Sequence, residues 1–475
     1  MQVSIEEIME SSGVRFGTSG ARGLVERMGD KICYAYTAAF IQGVVGGGPV
    51  GDVVLGHDLR PSSPRIASAC AAAVRDAGGQ VVYSGKLPTP ALAWYANLVN
   101  APAIIVTGSH IPFDRNGIKF YRADGEISKK DEAAIQSAVV SVSEDVAGFG
   151  LPEADARALK EYVRRYVDFF GAGAFYGMRI AVYEHSSVAR DVLRTILELL
   201  GAHVISLGRT DFFVPIDTEA VRHEDVRQAR IWATEHGFDA ILSTDGDADR
   251  PLVGDENGNW FRGDVVGILC ARFLNADIVV TPVSSNTAVE TGGWFGKVIR
   301  TSIGSPFVID AMIQARDGLD GVIVGFEANG GFLLGSNISR GGKILGALPT
   351  RDAVLPMLAL LSLARARGCK LSELQADIPQ RYTASNRLQN FAIERSAALI
   401  ARLKNDENLA MSTLAPESGR ISHVDTTDGL RVTFDNADIV HLRASGNAPE
   451  LRCYTEANTQ SAAQMLCAAC LGRLI

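Results

Sequence analysis

The chain has 475 residues, of which 47% are hydrophobic and 21% charged, and its 46 basic against 54 acidic groups leave a net charge of −8. That mixture excludes a disordered or collagen-like chain, and without a basic excess neither nucleic acid nor an anionic membrane is expected as its main partner. Seven cysteines are odd in number and thinly spread, and the one C-x-x-C spacing, Cys467 to Cys470, falls in an Ala-rich helical stretch that reads as core, so they fit a reduced, cytoplasmic protein. The acidic start MQVSIEEIMESSG carries no signal-peptide pattern, and the longest apolar run, residues 355–364, falls short of the ~18–20 residues of a membrane span.

In chain order, the predicted elements repeat three times. Strands at 52–56, 81–85 and 103–108 alternate with a helix over 63–77 and a shorter one. The second copy has strands at 179–183, 203–208 and 239–244 and a helix over 188–200; the third has strands at 277–282, 297–301 and 321–325. These short, continuous apolar runs predict parallel strands covered by helices on both faces. Each third strand runs into an unusual loop: SHIPFDRNG, DGDADR and FEANGG. In such sheets the loops at the carboxyl ends of strands hold ligands. Past about residue 370 the pattern gives way to a smaller α+β unit with strands VTFD and VHLRA and a helix over 461–474. The expected fold is therefore α/β: three similar modules over 1–150, 151–256 and 257–371, then an α+β domain over 372–475.

In the first loop, Thr107-Gly-Ser109-His110-Ile111-Pro112, the serine is either a helix N-cap or a nucleophile and phosphate acceptor. His110 or Lys119 would assist proton transfer. There is no G-x-S-x-G elbow to support a hydrolase triad. The second loop, Asp245-Gly-Asp247-Ala-Asp249-Arg250, puts three carboxylates at alternate positions, a pattern suited to one hard divalent cation. An EF-hand is ruled out because Arg250 takes the glycine position and a strand precedes. A D-x-D-x-T phosphatase motif fails at Asp249. Arg250 beside the acids points to an anionic group docking there.

The third loop, residues 325–331, offers Glu327 and Asn329, groups that suit sugar hydroxyls, although a plain glycine-rich turn reads the same way. Residues 443–452, RASGNAPELR, set Arg443 and Arg452 around Ser445, Gly446 and Asn447, either as a phosphate nest or as an ordinary loop with exposed arginines. Arg22 sits in the small-residue loop 16–23, and His57-Asp-Leu-Arg60 follows the first strand. The G-x-G-x-x-G match at 46–51 precedes a strand instead of following one, so it is not a dinucleotide site, and no Walker A sequence is present.

Together these loops resemble the α-D-phosphohexomutase family over residues 16–452. The resemblance implies four domains around a central cleft, Ser109 as the phosphorylated residue, and Mg²⁺ held by Ser109, Asp245, Asp247 and Asp249. It gives Arg22, His110, Lys119 and Arg250 catalytic roles. Glu327 and Asn329 would meet the sugar, while Arg443, Ser445, Gly446, Asn447 and Arg452 would hold its distal phosphate. The implied reaction moves phosphate between C1 and C6 of mannose or glucose phosphate through a hexose 1,6-bisphosphate that turns end for end. Glucose 1,6-bisphosphate or mannose 1,6-bisphosphate would serve as activator. Five positions depart from the family pattern: Ile111, Asn329, Gly331 (where His is usual), Asn447 and Ala448. Alternatives are a phosphoglucosamine mutase, a non-catalytic sugar-phosphate binder and a phosphatase acting through Ser109. The expected partner is a small sugar phosphate, and the expected state a monomer or homodimer.

Overall fold

The structure, a computed structural model, describes residues 1–17, 20–46, 50–143, 146, 150–445 and 449–474. Two compact units emerge, one from residues 1–275 and 329–373, the other from residues 276–328 and 374–475.

The first unit opens with β1 (Ala21–Leu24), β2 (Asp52–His57), α1 (Ser63–Asp76), β3 (Gln80–Lys86), α2 (Thr89–Leu98), β4 (Ala103–Val106) and β5 (Arg115–Arg122). β2 is parallel to β3 and β4, because α1 and α2 carry the chain back between them. Burial of Val53, Val54, Leu55 and all of β4 explains their unbroken apolar sequence. α1 buries Ile66, Ala67, Cys70, Ala71 and Val74, and its alanines let it lie close to the sheet.

β5 corrects the expectation that residues 109–117 form one loop, since its strand begins at Arg115. It runs antiparallel to β4 on one side and to β1 on the other. Asn116-Gly117 looks like a turn in sequence, yet Asn116 to Tyr121 are all buried. Gly117 is needed there, since a Cβ would stand 2.9 Å from the carbonyl oxygens of Ala21 and Thr107.

The second repeat has β6 (Arg179–Tyr183), α3 (Arg190–Leu199), β7 (His203–Leu207), α4 (His223–His236), β8 (Ala240–Thr244) and β9 (Pro251–Gly254). β6 is parallel to β7 and β8, and β9 returns antiparallel to β8. The DGDADR loop is thus the tip of a hairpin at the carboxyl end of β8. α3 turns Val192, Leu193, Ile196 and Leu197 inward, the one-sided spacing of an amphipathic helix.

Within the second unit, β10 (Ile278–Pro282) is parallel to β11 (Lys297–Thr301) and β12 (Ile323–Phe326). The chain then re-enters the first unit, where β13 (Phe332–Leu334) pairs antiparallel with β14 (Leu348–Asp352) ahead of α5 (Val354–Arg367). Back in the second unit, an antiparallel sheet of β15 (Tyr382–Gln389), β16 (Ile421–Asp425), β17 (Leu430–Phe434), β18 (Ile439–Ala444) and β19 (Glu450–Ala457) lies in the order β15-β19-β18-β17-β16. It is closed by α6 (Gln460–Arg473), which buries Cys467 and Cys470 and is capped by the Thr459 hydroxyl. Residues 381–390 read in sequence as a polar segment. β15, which they contain, is an edge strand paired with β19 along its whole length, so backbone hydrogen bonds hold it with little apolar sequence. No helix among the described residues is long and apolar enough to cross a membrane.

His185, just past β6, is fully buried, and its Nε2 lies 2.9 Å from the Thr244 carbonyl oxygen, one residue before the acidic loop. Burial pushes its pKa from the ordinary 6.5 down to about 4. Between those values the unfolded chain binds a proton that the folded protein refuses, so stability falls as pH drops below 6.5. The loss is about 2 kcal/mol by pH 5. The stability gap between wild type and His185→Gln, read from urea unfolding, should shrink by that amount between pH 7.5 and 5. A gap independent of pH would contradict this.

Candidate active site

Ser109 stands at the carboxyl end of β4 and is 1% exposed. Its φ of 52° is left-handed, a strained choice for serine that the surroundings must hold, at roughly 1–3 kcal/mol. Thr107 Oγ1 accepts the Ser109 N–H at 2.9 Å, and Asp58 Oδ2 accepts the Thr107 hydroxyl at 2.8 Å. The buried Arg60 guanidinium then donates to four carbonyls around the turn: Ser109 at 2.9 Å, Ile111 at 2.5 Å, Pro112 at 2.7 Å and Arg115 at 2.9 Å. It rests 4.0 Å from the Phe213 ring centre and 3.3 Å from Asp58. A Cβ on Gly108 would come within 2.5 Å of its central carbon, so glycine is required beside the serine. His57-Asp-Leu-Arg60 is therefore the clamp on the serine loop.

The Ser109 hydroxyl donates to Asp245 Oδ2 at 2.6 Å and lies 3.3 Å from His110 Nδ1. Asp245, Asp247 and Asp249 are buried, and one carboxylate oxygen from each lies within 4.8 Å of the other two. The loop carrying them packs against the serine loop so closely that a Cβ on Gly246 would meet the Ser109 carbonyl oxygen at 2.7 Å. Asp247 Oδ2 accepts from Lys119 Nζ and from Thr89 Oγ1, both at 2.7 Å. Asp249 Oδ2 accepts from Lys119 Nζ at 2.9 Å and from Arg351 Nη2 at 2.7 Å. Arg250 Nε approaches Asp249 Oδ1 at 3.6 Å and Asp245 Oδ2 at 4.0 Å. Lys119 points here from strand β5, and Arg22 flanks it because β1 pairs Arg22 with Gly117.

Three buried carboxylates are thus faced by Lys119, Arg250 and Arg351. Burial and the neighbouring Asp247 and Asp249 push the Asp245 carboxyl well up. Burial and Asp249 would do the same to Asp247, but Lys119 holds it low. Asp249 is also held low: burial opposes ionisation, and Arg351 and Lys119 overcome it. Although burial works against its charge, Lys119 is raised by Asp247 and Asp249 and stays an ammonium. Burial, Arg250 and Arg351 bring Arg22 down to about 10. Burial and Arg250 drive His110 well below its usual range, so it is a neutral imidazole at pH 7.

Asp247 Oδ1 and Asp249 Oδ1 are buried without a hydrogen-bond partner among the described residues. Orphaned carboxylate oxygens are costly unless something else takes them. With Asp245 and the Ser109 hydroxyl they make an all-oxygen donor set, which fits a hard divalent cation.

The other expected residues are placed as follows. Asn329 is buried in the first unit; its Oδ1 accepts the Gly331 N–H at 2.9 Å and its carbonyl accepts the Thr218 hydroxyl at 2.7 Å. Glu327, in the second unit, is buried directly after β12, whose Phe326 carbonyl accepts the Thr281 hydroxyl at 2.8 Å. Arg443 and Arg452 are cross-strand partners on β18 and β19. Arg443 Nε contacts Asp428 at 2.9 Å, and the Ser445 N–H donates to the Glu450 carbonyl at 2.9 Å. Gly446, Asn447 and Ala448 lie outside the described residues. The sequence alone singles out neither Thr89 nor Arg351 and gives Arg60 no role; only a charged residue at a strand end, as in Asp58-Leu-Arg60 and Thr350-Arg351-Asp352, hints at the two arginines.

Comparison with known proteins gives four family models in order along the chain. They are phosphoglucomutase/phosphomannomutase alpha/beta/alpha domain I over residues 13–145, domain II over 160–258, domain III over 262–382 and the C-terminal domain over 388–471. A phosphomannomutase of Salmonella muenchen is 47% identical over 459 residues, covering 96% of this chain and 94% of that protein. One of Sinorhizobium fredii is 45% identical, covering 96% and 98%. Among solved structures, a protein of Thermus thermophilus described as a putative phosphomannomutase superposes with a TM-score of 0.74 at 22% identity, over 97% of this chain and 99% of that one. The likeness at that identity speaks for the fold.

Proposed function

The chain belongs to the phosphoglucomutase/phosphomannomutase family, and from that premise we propose that it moves phosphate between C1 and C6 of mannose or glucose phosphate through phospho-Ser109. The observation that carries this reading is the Ser109 hydroxyl, 2.6 Å from one of three buried carboxylates and enclosed by cations. We assign Mg²⁺ to Ser109, Asp245, Asp247 and Asp249, where it would neutralise charge on the transferred phosphoryl group.

The chain's own residues account for the rest. The sugar hydroxyl attacks phospho-Ser109, its new P–O bond forming as the bond to Ser109 Oγ breaks; neutral His110, whose Nδ1 lies 3.3 Å from Ser109 Oγ, takes the hydroxyl proton and delivers it to the departing serine oxygen. Lys119, held charged, joins Arg22 and Arg250 in offsetting the negative charge that spreads over the phosphoryl oxygens. In the second half-reaction the reoriented hexose 1,6-bisphosphate returns its other phosphate to Ser109. Glucose 1,6-bisphosphate or mannose 1,6-bisphosphate would act as activator by phosphorylating Ser109. We assign hydroxyl recognition to Glu327 and Asn329, and the grip on the non-reacting phosphate to Arg443, Ser445, Gly446, Asn447 and Arg452.

The modules 1–150, 151–256, 257–371 and 372–475 would then supply the serine, metal, sugar and phosphate loops in turn. The protein would work in the cytoplasm, in keeping with its seven free cysteines, as a monomer or homodimer. Mannose and glucose phosphates rank ahead of glucosamine phosphate because the relatives at 45–47% identity are described as phosphomannomutases. A coupled assay on mannose, glucose and glucosamine 1-phosphates tests that ranking, and turnover of glucosamine 1-phosphate alone would overturn it.

Arg443 separates a mutase from a phosphatase, since only a mutase must hold the distal phosphate through both half-reactions. Arg443→Ala should lose about 1.5–3 kcal/mol of charge-assisted binding, raising KM roughly tenfold to a hundredfold with a smaller fall in kcat. Dependence on added bisphosphate should grow as the intermediate escapes. Unchanged KM and unchanged activator dependence would contradict the assignment.

A further inference from the structure

Arg351 closes β14 and is 3% exposed. Its Nη2 lies 2.7 Å and its Nε 3.1 Å from Asp249 Oδ2, so two nitrogens of one planar group hold one carboxylate oxygen. The backbone behind it is anchored in turn. The next residue, Asp352, accepts the Tyr162 hydroxyl at 2.6 Å and also bonds the Tyr166 hydroxyl. With Oδ2 pinned, the Asp249 carboxylate cannot rotate about Cβ–Cγ, and the direction of the orphaned Oδ1 is fixed. Lys119 alone would not fix it, because its single ammonium also serves Asp247 at 2.7 Å.

Gly331 supplies an independent observation. β13 pairs Phe332 with Asp352, and Gly331 just before it lies against the Arg351 side chain. A Cβ at 331 would stand 2.6 Å from Arg351 Cδ and 2.9 Å from Cγ, and 3.1 Å from Asn329 Oδ1. The histidine usual at this position in the resembled sugar loop has no room, because the arginine stem fills the space.

We infer that Arg351 is a positioning residue that aims Asp249 at the metal, and that glycine at 331 is what lets it reach there. The inference rests on the metal assignment made above. It is open to a decisive test because charge and orientation act in opposite directions. Removing a cation from beside three carboxylates tightens divalent-cation binding if only charge matters. Releasing Asp249 weakens it if orientation matters, since outer contacts of metal ligands are typically worth roughly tenfold to a hundredfold in affinity.

The experiment is Mn²⁺ titration of the full chain, followed by electron paramagnetic resonance, on wild type, Arg351→Ala, Arg351→Lys, Gly331→Ala and the Gly331→Ala/Arg351→Ala double variant. Arg351→Ala should weaken Mn²⁺ at least about tenfold, and Arg351→Lys should recover part of the loss. Gly331→Ala should also weaken it by displacing the arginine stem, and the double variant should lose no more than Arg351→Ala alone. KM for sugar phosphate at saturating Mg²⁺ should stay within about twofold, as expected of a residue acting through Asp249. Equal or tighter Mn²⁺ binding by Arg351→Ala overturns the inference while leaving the metal assignment standing. Should that variant fail to fold, Arg351→Lys and Gly331→Ala decide the matter, and wild-type affinity in both overturns the inference. No Mn²⁺ binding by wild type overturns the metal assignment itself.

Discussion

Ser109→Ala should lower kcat by about 10⁴-fold or more, with sugar-phosphate binding within about tenfold of wild type, because under the proposed mechanism it removes the group that carries the phosphate between half-reactions. The variant should fold. The turn around residue 109 is held through backbone carbonyls by Arg60 and through Thr107 and Asp58, none of which needs the serine hydroxyl. What is lost locally is the donor to Asp245 Oδ2, worth roughly 1–3 kcal/mol for a buried acceptor left alone. Intact-mass measurement should find one phosphate on wild type that the variant lacks. Near-normal turnover by Ser109→Ala would end the phosphoserine mechanism.

Asp247→Asn should be the next most damaging change. Asp247 Oδ2 already accepts from Lys119 and Thr89, so the orphaned Oδ1 is what remains for a cation. An amide removes a negative charge from a cluster already faced by Lys119, Arg22, Arg250 and Arg351, so a divalent ion is repelled more strongly. Metal affinity should fall by about a hundredfold and kcat by about a thousandfold, the outcome for loss of a direct ligand rather than of its support. Chelation should stop the wild type reversibly. Ca²⁺ should bind without sustaining turnover, because its looser coordination suits the transfer poorly. Full activity after exhaustive chelation would rule the metal site out.

The serine loop and the acidic loop were legible in the sequence because each is a short run of unusual residues directly after an unmistakable apolar strand. The parallel strands were legible for the same reason: β2, β4, β6, β8, β10 and β12 are buried and uninterrupted. β5 was not, because Asn116-Gly117 imitates a turn and its strand character comes from pairing on both sides with β4 and β1. β15 was not, because an edge strand needs few apolar residues. Arg351 left no local signal beyond a charge at a strand end: it meets Asp249 across 102 residues of sequence, and a Cβ at Gly331 would meet its stem. Arg60 sits 49 residues from the serine whose carbonyl it holds. Local pattern announces strands and reactive loops, whereas the residues that aim them are brought in by tertiary packing.

The most direct test is a ³¹P NMR time course of mannose 1-phosphate with the purified protein, Mg²⁺ and a trace of glucose 1,6-bisphosphate. The expected result is replacement of the 1-phosphate signal by that of mannose 6-phosphate, with total ester phosphate conserved and no inorganic phosphate formed. Accumulation of inorganic phosphate, or a 1-phosphate signal that stays unchanged, would contradict intramolecular transfer through Ser109.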